Sequence, residues 1–355
     1  MSTVIPTLQQ SLSDTKAEYR RLGNSGLRVS IPIFGAMSIG DQKSMPWTIA
    51  EEDALPLFKA AYDRGLNTWD TANAYSNGSS EIIIGKALEK YQIPREKVVI
   101  LTKCFWGVSK ALDELHWLNR ESFERSKDYQ NQYGLSRTAI FNQVEASLER
   151  LNTPYIDLLQ IHRFDTTTPM EETMKALHDL VQSGKVRYIG ASSMYATQFA
   201  RLQAVAERNG WTKFISMQNQ HNLLYREEER EMLRFCDDTG VGVIPWAPLS
   251  RGNLARPLTH KGSTLRSQLS GESLTGADVE IIKRVEEIAN KRGWPMSQVA
   301  LLWSLRRVVS PIIGFSKVER IDQALGVRGK QLDDDEISYL EEPYQPKHYI
   351  AAESL

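Results

Sequence analysis

Eight short apolar runs rich in β-branched residues recur along the chain: IPIFGAM (31–37), NTWDTA (67–72), VVILTK (98–103), IDLLQIH (156–162), VRYIGAS (186–192), FISMQNQ (214–220), VGVIPWAPL (241–249) and VVSPIIGF (308–315). Their apolarity is continuous rather than alternating, which suits parallel strands covered on both faces. Segments of helical period lie between them: EEDALPLFKAAYDR, SEIIIGKALEKY, RTAIFNQVEASLERL, MEETMKALHDLVQSG, ATQFARLQAVAERNG and EEEREMLRFCDD. Two more helices are expected near 278–292 and 297–306. Strict strand–helix alternation through eight strands predicts an α/β chain folded as a closed (β/α)8 TIM barrel. An open doubly wound sheet fits the same alternation, but its dinucleotide-binding form carries G-x-G-x-x-G after the first strand, and none occurs here.

Ahead of the first run, EYRRLGNSGLRVS (18–30) predicts an N-terminal β-hairpin turning at Asn24-Ser25-Gly26, a plug for the barrel floor. Residues 1–17 read as a flexible tail, 18–342 as one barrel domain and 343–355 as a C-terminal tail. Two connections, 104–135 and 250–277, exceed ordinary loop lengths and predict long functional loops, or lids, at the C-terminal face.

Composition adds mainly exclusions. With 43 basic and 44 acidic side chains the net charge is −1, and no run of one sign suits a nucleic-acid backbone. The first 18 residues lack the apolar centre of a signal peptide and no run approaches a membrane span, so a cytoplasmic protein without membrane contact is expected. Cys104 and Cys236 are too few for a disulfide framework. The six histidines are scattered, and no metal site is expected.

In such barrels the chemistry stands at the C-terminal strand ends. The second run ends at Asp70, with Tyr75 in the next loop; the third ends at Lys103 and the fourth at His162. A charge at the rim of an apolar core needs a partner, and Asp70 and Lys103 are each other's. By position alone the pair also reads as a structural ion pair, and a lone histidine as packed core. Tyr75 shifts the balance, because a phenol beside an ammonium is expected to have a stabilised anion and to be a usable proton donor near neutral pH. Carbonyl reduction needs such a donor at the oxygen where negative charge develops.

The motifs WDTANAY (69–75), Lys103 after VVILT, and LLQIH (158–162) resemble the aldo-keto reductase superfamily, in its fungal and bacterial branch related to potassium channel β subunits. The resemblance runs from Tyr19 to about Leu340. It implies a catalytic tetrad of Asp70, Tyr75, Lys103 and His162 and an NADPH/NADP+ cofactor. Ser192, Ser193 and Gln218 would meet the nicotinamide carboxamide, and Trp246 would stack on its ring. Pro248, Leu249, Ser250, Arg251 and Gly252 would lie along the pyrophosphate, Gly314, Ser316, Lys317 and Arg320 along the adenosine phosphate, and Gln323 at the adenine amino group. Each also has a structural alternative: a helix cap at Ser192, a strand end at Gln218, core packing at Trp246, a solvated turn after it. Ser316, Lys317 and Arg320 at a helix start favour NADPH over NADH, since free N–H groups and an arginine suit a 2′-phosphate. Relatives often have Ser-Asn where Ser192-Ser193 stand, and Glu-Asn where Gln323-Ala324 stand.

For the substrate, Met37, Trp47, Phe105, Trp106 and Arg163 stand where loops would line a pocket, an aromatic wall with one cation suited to a small-molecule carbonyl; packing of the loops is the alternative. Cys104 is expected to point into packing. Two other functions compete with NADPH-dependent reduction of aldehydes and ketones. One is a regulatory or partner module that binds nicotinamide with little turnover, as potassium channel β subunits share this barrel. The other is a Schiff-base aldolase acting through Lys103, which Asp70 opposes by keeping the amine charged.

Overall fold

The computed structural model of the protein describes residues 6–260, 265 and 273–350. The two antiparallel strands β1 (Glu18–Arg21) and β2 (Arg28–Ile31) form the predicted hairpin, turning where Leu22 N–H donates to the Leu27 carbonyl. Eight parallel strands follow: β3 (Ile33–Gly35), β4 (Thr68–Asp70), β5 (Val99–Cys104), β6 (Ile156–Ile161), β7 (Val186–Ser192), β8 (Ser216–Gln218), β9 (Gly242–Val243) and β10 (Ile312–Ile313). They pair in chain order from β3 to β9, and β10 pairs with β3. The sheet closes where Val309 N–H donates to the Val243 carbonyl and Ile312 N–H to the Pro245 carbonyl, both at 2.9 Å. The result is the expected (β/α)8 barrel.

Alternation along the strands sorts the side chains. Ile33, Leu101, Leu158, Ile244 and Ile312 turn inward and form a lower layer with Leu22 and Val29 of the hairpin, which therefore plugs the floor. The opposite faces, carrying Trp69, Ile100, Leu159, Ile161 and Ile189, pack against the surrounding helices in a separate, larger core. Above the apolar layer the same inward faces carry Asp70, Lys103, Gln160, Ser192 and Gln218. Gly190 on this face leaves room for its neighbours, since a Cβ there would stand 2.3 Å from Ser216 Oγ.

Three segments differ from expectation. Residues 6–14 form a helix, and the chain after it is tied to the barrel: Lys16 pairs with Asp322, and Ala17 is buried. The stretch from Glu227 is not one helix but a 3-10 turn (Glu227–Glu229) and a helix from Met232 to Thr239, because Glu227 and Glu228 are buried and turned toward partners distant in sequence. Residues 343–350 are not a free tail, for Tyr344, Lys347, Tyr349 and Ile350 all hydrogen-bond to the barrel face. Much of the 250–277 connection lies outside the described residues. Connection 104–135 carries a 3-10 turn (His116–Leu118) and a short helix (Arg120–Arg125) around an aromatic cluster of Trp106, His116, Phe123, Tyr129 and Tyr133.

Candidate active site

Asp70 closes β4 and Lys103 lies one residue before the end of β5, so both project into the upper barrel, where their side chains are 3% and 0% exposed. The Lys103 ammonium donates to Asp70 Oδ2 at 2.7 Å, the Thr71 carbonyl at 2.8 Å and Tyr75 Oη at 3.2 Å, using all three protons. The other Asp70 oxygen accepts from Gln160 Nε2 at 3.0 Å and Gln218 Nε2 at 2.9 Å. A buried pair is sustained only when its remaining lone pairs and protons are satisfied, and here they are. Burial pushes the Lys103 pKa down, but Asp70 and Tyr75 outweigh it, and the ammonium is held above its ordinary value.

Tyr75 stands in a loop with little freedom. Ser76, Asn77 and Gly78 follow it with φ of 47°, 50° and 94°. Asn77 is fastened to Ser109 from both ends of its amide. Ser76 Oγ donates to the Asp41 carbonyl and accepts from its N–H, and the close passage there explains Gly40: a Cβ would lie 2.0 Å from that of Ser76. Asn73 ties the same loop to the Trp106 carbonyl and Gln143. The phenol pKa is raised, opposite to the expected direction, because burial dominates and Lys103 and Arg163 offset only part of it. Tyr75 is thus a protonated donor with a cation ready to hold its anion.

His162 follows β6 and sets its ring edge-on to Tyr75, with centroids 5.7 Å apart. Burial, then Arg163 and Lys103, holds its pKa well below the ordinary value, so the imidazole is neutral. Its Nδ1 is buried with no partner among the described residues. Arg163 donates to the His162 carbonyl at 2.8 Å, and its Nε is likewise buried and unpartnered among them.

The expected cofactor residues gather on the opposite side of the mouth. Ser192 Oγ donates to the Gln218 carbonyl at 2.7 Å, leaving its lone pairs to accept. Gln218 gives its amide hydrogens to Asp70 and Gln160, leaving Oε1 free to accept. Ser193, at φ 50°, takes the indole N–H of half-buried Trp246 on its Oγ at 3.3 Å. After buried Pro248 and half-buried Leu249, the residues Ser250, Arg251 and Gly252 have consecutive positive φ. The turn is held from within, Ser250 N–H donating to the Ala247 carbonyl and Gly252 N–H to the Leu249 carbonyl, both at 2.9 Å. Gly314, Ser316, Lys317, Arg320 and Gln323 are exposed, and no side chain caps the helix Val318–Leu325. Burial, and after it the charge of Arg320, lowers the Arg256 pKa.

Of the expected pocket residues, Met37 is 44% exposed and Trp47 and Phe105 are half-buried, whereas Trp106 is 6% exposed. Trp106 packs edge-on to Phe105 and His116 and so helps fasten the 104–135 connection. Cys104 is buried, its thiol pushed up to about 12, as packing requires. Sequence reasoning missed Gln160, Asn219, Glu228 and Arg256. Gln160 had a signal, standing two residues before His162 on the same strand face; Asn219 sits near the end of a run read as strand and Glu228 in a segment read as helix, where residue type alone did not mark them, and Arg256 lies in a long loop.

The family model described as Aldo/keto reductase family matches residues 33–345. The chain belongs to this family. It is 58% identical over 350 residues to an aldo-keto reductase of Fusarium vanettenii, covering 96% of this chain and 95% of that protein. It is 59% identical over 351 residues to an aldo-keto reductase of Metarhizium robertsii, with the same coverage. It is 52% identical over 339 residues to the versiconal hemiacetal acetate reductase of Aspergillus parasiticus, covering 93% and 98%. This aldo-keto reductase is therefore an oxidoreductase of a family whose members reduce carbonyls and generally use a nicotinamide cofactor. Among the described residues no helix is long and apolar enough to cross a membrane.

Proposed function

We propose that the protein reduces aldehydes or ketones to alcohols with NADPH, Tyr75 acting as the general acid. The observation that carries this is the Lys103 ammonium bonded at once to Asp70 Oδ2, the Thr71 carbonyl and Tyr75 Oη at the barrel mouth. When bound, a reduced nicotinamide supplies the hydride that reaches the carbonyl carbon. Tyr75 gives its proton to the oxygen on which charge develops, and the phenolate left behind is stabilised by Lys103. Neutral His162 donates a hydrogen bond that orients the carbonyl. Held charged by Asp70, Lys103 does not act as an amine nucleophile.

The residues present fit that cofactor. Ser192 Oγ and Gln218 Oε1 retain acceptor capacity for a carboxamide, and Trp246 is anchored by Ser193 with its ring half-buried. The Ser250–Gly252 turn, which carries Arg251, would lie along a pyrophosphate, and Arg256 and Arg320 with Ser316 and Lys317 suit a further phosphate, which favours NADPH over NADH. Met37, Trp47, Phe105 and Arg163 are proposed to face the substrate. Purified protein should oxidise NADPH with 4-nitrobenzaldehyde or another member of a carbonyl panel, and NADH more slowly. Turnover no higher than that of a Tyr75→Phe control across the panel would overturn the proposal.

A further inference from the structure

Behind the nicotinamide side of the mouth lies a line of buried polar contacts that the reduction chemistry does not use. Glu228 is 1% exposed in the turn Glu227–Glu229. Its Oε2 accepts from Asn219 Nδ2 and from Tyr349 Oη, the latter at 3.2 Å, while Oε1 is buried with no partner among the described residues. Asn219 Oδ1 accepts the Ser193 N–H at 3.0 Å. Ser193 has the left-handed backbone, shares a hydrogen bond with Ser192 Oγ at 3.2 Å and receives the Trp246 indole. A non-glycine residue holds that conformation only where its surroundings over-determine it, and the Asn219 contact is what fixes its N–H.

The far end of the line is the carboxyl-terminal segment. The single Tyr349 O–H proton is shared between Glu228 Oε2 and the carbonyl of Met194, the residue after Ser193, the latter at 3.0 Å, and the Tyr349 ring stacks on Tyr195 with centroids 5.3 Å apart. Glu227 Oε1 accepts from Tyr344 Oη at 2.6 Å and the Lys347 N–H at 2.8 Å; Lys347 Nζ meets buried Asp278 at 2.6 Å; Ile350 N–H donates to Tyr225 Oη at 3.0 Å. The segment thus straps the two loops that carry Ser193 and Glu228.

We propose that Glu228 is a positioning residue for the nicotinamide end of the site: it anchors Asn219, Asn219 fixes the Ser193 backbone that steadies Ser192 and Trp246, and Tyr349 closes the same carboxylate. Cofactor binding and the seating of residues 344–350 are then coupled, each strengthening the other by the same factor. Burial, with Glu227 adding to it, pushes the Glu228 pKa up to about 7, so the group sits close to neutrality and relies on these donors rather than on a cation. The inference rests on the proposed nicotinamide function.

The test uses the full-length protein and NADPH, with binding read by fluorescence and the carboxyl-terminal segment by hydrogen exchange. Glu228→Leu removes both acceptors and should raise the NADPH dissociation constant about tenfold, while kcat at saturating NADPH stays within about twofold. Glu228→Gln keeps an acceptor oxygen for Asn219 and should stay within about threefold of wild type. In wild type, NADPH should slow exchange in residues 344–350, and in Glu228→Leu it should not. Should Glu228→Leu fail to fold, Tyr349→Phe, which removes one hydroxyl, should raise the constant about threefold and weaken the protection. Unchanged binding in these variants, equal loss in the Leu and Gln variants, or no cofactor-dependent protection of the segment would overturn the inference while leaving the reductase proposal standing. A wild-type protein that does not bind NADPH would overturn both.

Discussion

Replacing Asp70 by asparagine isolates the central ion pair, because the two side chains have nearly the same shape. The amide can present one acceptor oxygen where the Asp70 carboxylate presents two: Oδ2 to Lys103 at 2.7 Å and Oδ1 to Gln160 and Gln218 at 3.0 and 2.9 Å. Either the ammonium or the two glutamine amides must then face an N–H donor. Lys103 has 0% side-chain exposure, so its charge has no route to water. Removing one partner of a buried pair typically costs about 3–5 kcal/mol, and the cost here should fall in that range at pH 7. The sign of its pH dependence follows from Lys103. In the wild type its folded pKa is raised, so its stabilising contribution is fully present below the unfolded value near ~10.4 and is lost as pH rises through the folded value. Without Asp70 the burial effect is largely unopposed, the lysine pKa falls, and the penalty shrinks as alkali neutralises the amine.

Urea unfolding of both proteins at about pH 7 and about pH 9.5 reads both quantities. The variant should be less stable by about 3–5 kcal/mol at the lower pH and closer to wild type at the higher. Its kcat for aldehyde reduction should fall by about 10²-fold or more, because Tyr75 loses the support of a fixed cation. A destabilisation under about 1 kcal/mol, or a gap identical at the two pH values, would refute the view that Lys103 is held charged by Asp70.

Three further outcomes are expected. Tyr75→Phe should lower kcat by about 10²–10⁴-fold with stability within about 1 kcal/mol of wild type, since among the described residues the hydroxyl's hydrogen-bond partner is Lys103 at 3.2 Å; parallel turnover and thermal-unfolding measurements check both parts. Because the His162 pKa lies well below its ordinary value and the Tyr75 pKa above its own, kcat for reduction should be flat between about pH 6 and about pH 9, and a limb centred near ~6.5 would show that the histidine titrates in that range. Cys104 and Cys236, buried with thiols at about 12, should resist a thiol-specific chromogenic reagent in the native protein and both react in denaturant.

The placement of ionisable residues at the barrel mouth was legible in the sequence because it obeys the strand's own rule. Period-two alternation puts Asp70, Lys103 and His162 on inward faces above apolar residues, and an ionisable group in that position stands out against its run. The hairpin was legible as a floor plug from its Asn24-Ser25-Gly26 turn, and Leu22 and Val29 are the residues that fill the floor. What stayed hidden depends on partners far along the chain. Glu227–Glu229 has the acidic signature of a helix's first turn. Whether those carboxylates face water or the interior is decided by Tyr344, Lys347 and Tyr349, more than 100 residues later, so the segment became a buried turn. Trp106 stayed open between two readings for a related reason: aromatic residues in a long loop look alike whether they line a pocket or fasten the loop, and its packing on Phe105 and His116 favours the second. The direction of the Tyr75 shift depended on burial against the Lys103 charge, a balance that residue types alone do not give.

The two sides of the mouth are therefore held by different physics. Asp70, Lys103 and Gln160 come from neighbouring strands in register, with Gly35 opposite Asp70 and Gln160 opposite Lys103, and their positions follow from the sheet itself. Ser193, Ser250 and Arg251 lie on loops with left-handed backbone, which is retained only where outside contacts impose it. For Ser193 those contacts pass through Asn219 and Glu228 to the end of the chain. Changes on the strand side should thus alter the chemical step or global stability, whereas changes in the loops and the carboxyl-terminal segment should alter cofactor affinity first. Tyr75, the proposed acid, belongs to the second kind: it stands on a loop fixed through Asn73, Ser76 and Asn77, so a change there can reach the chemical step through outside contacts as well.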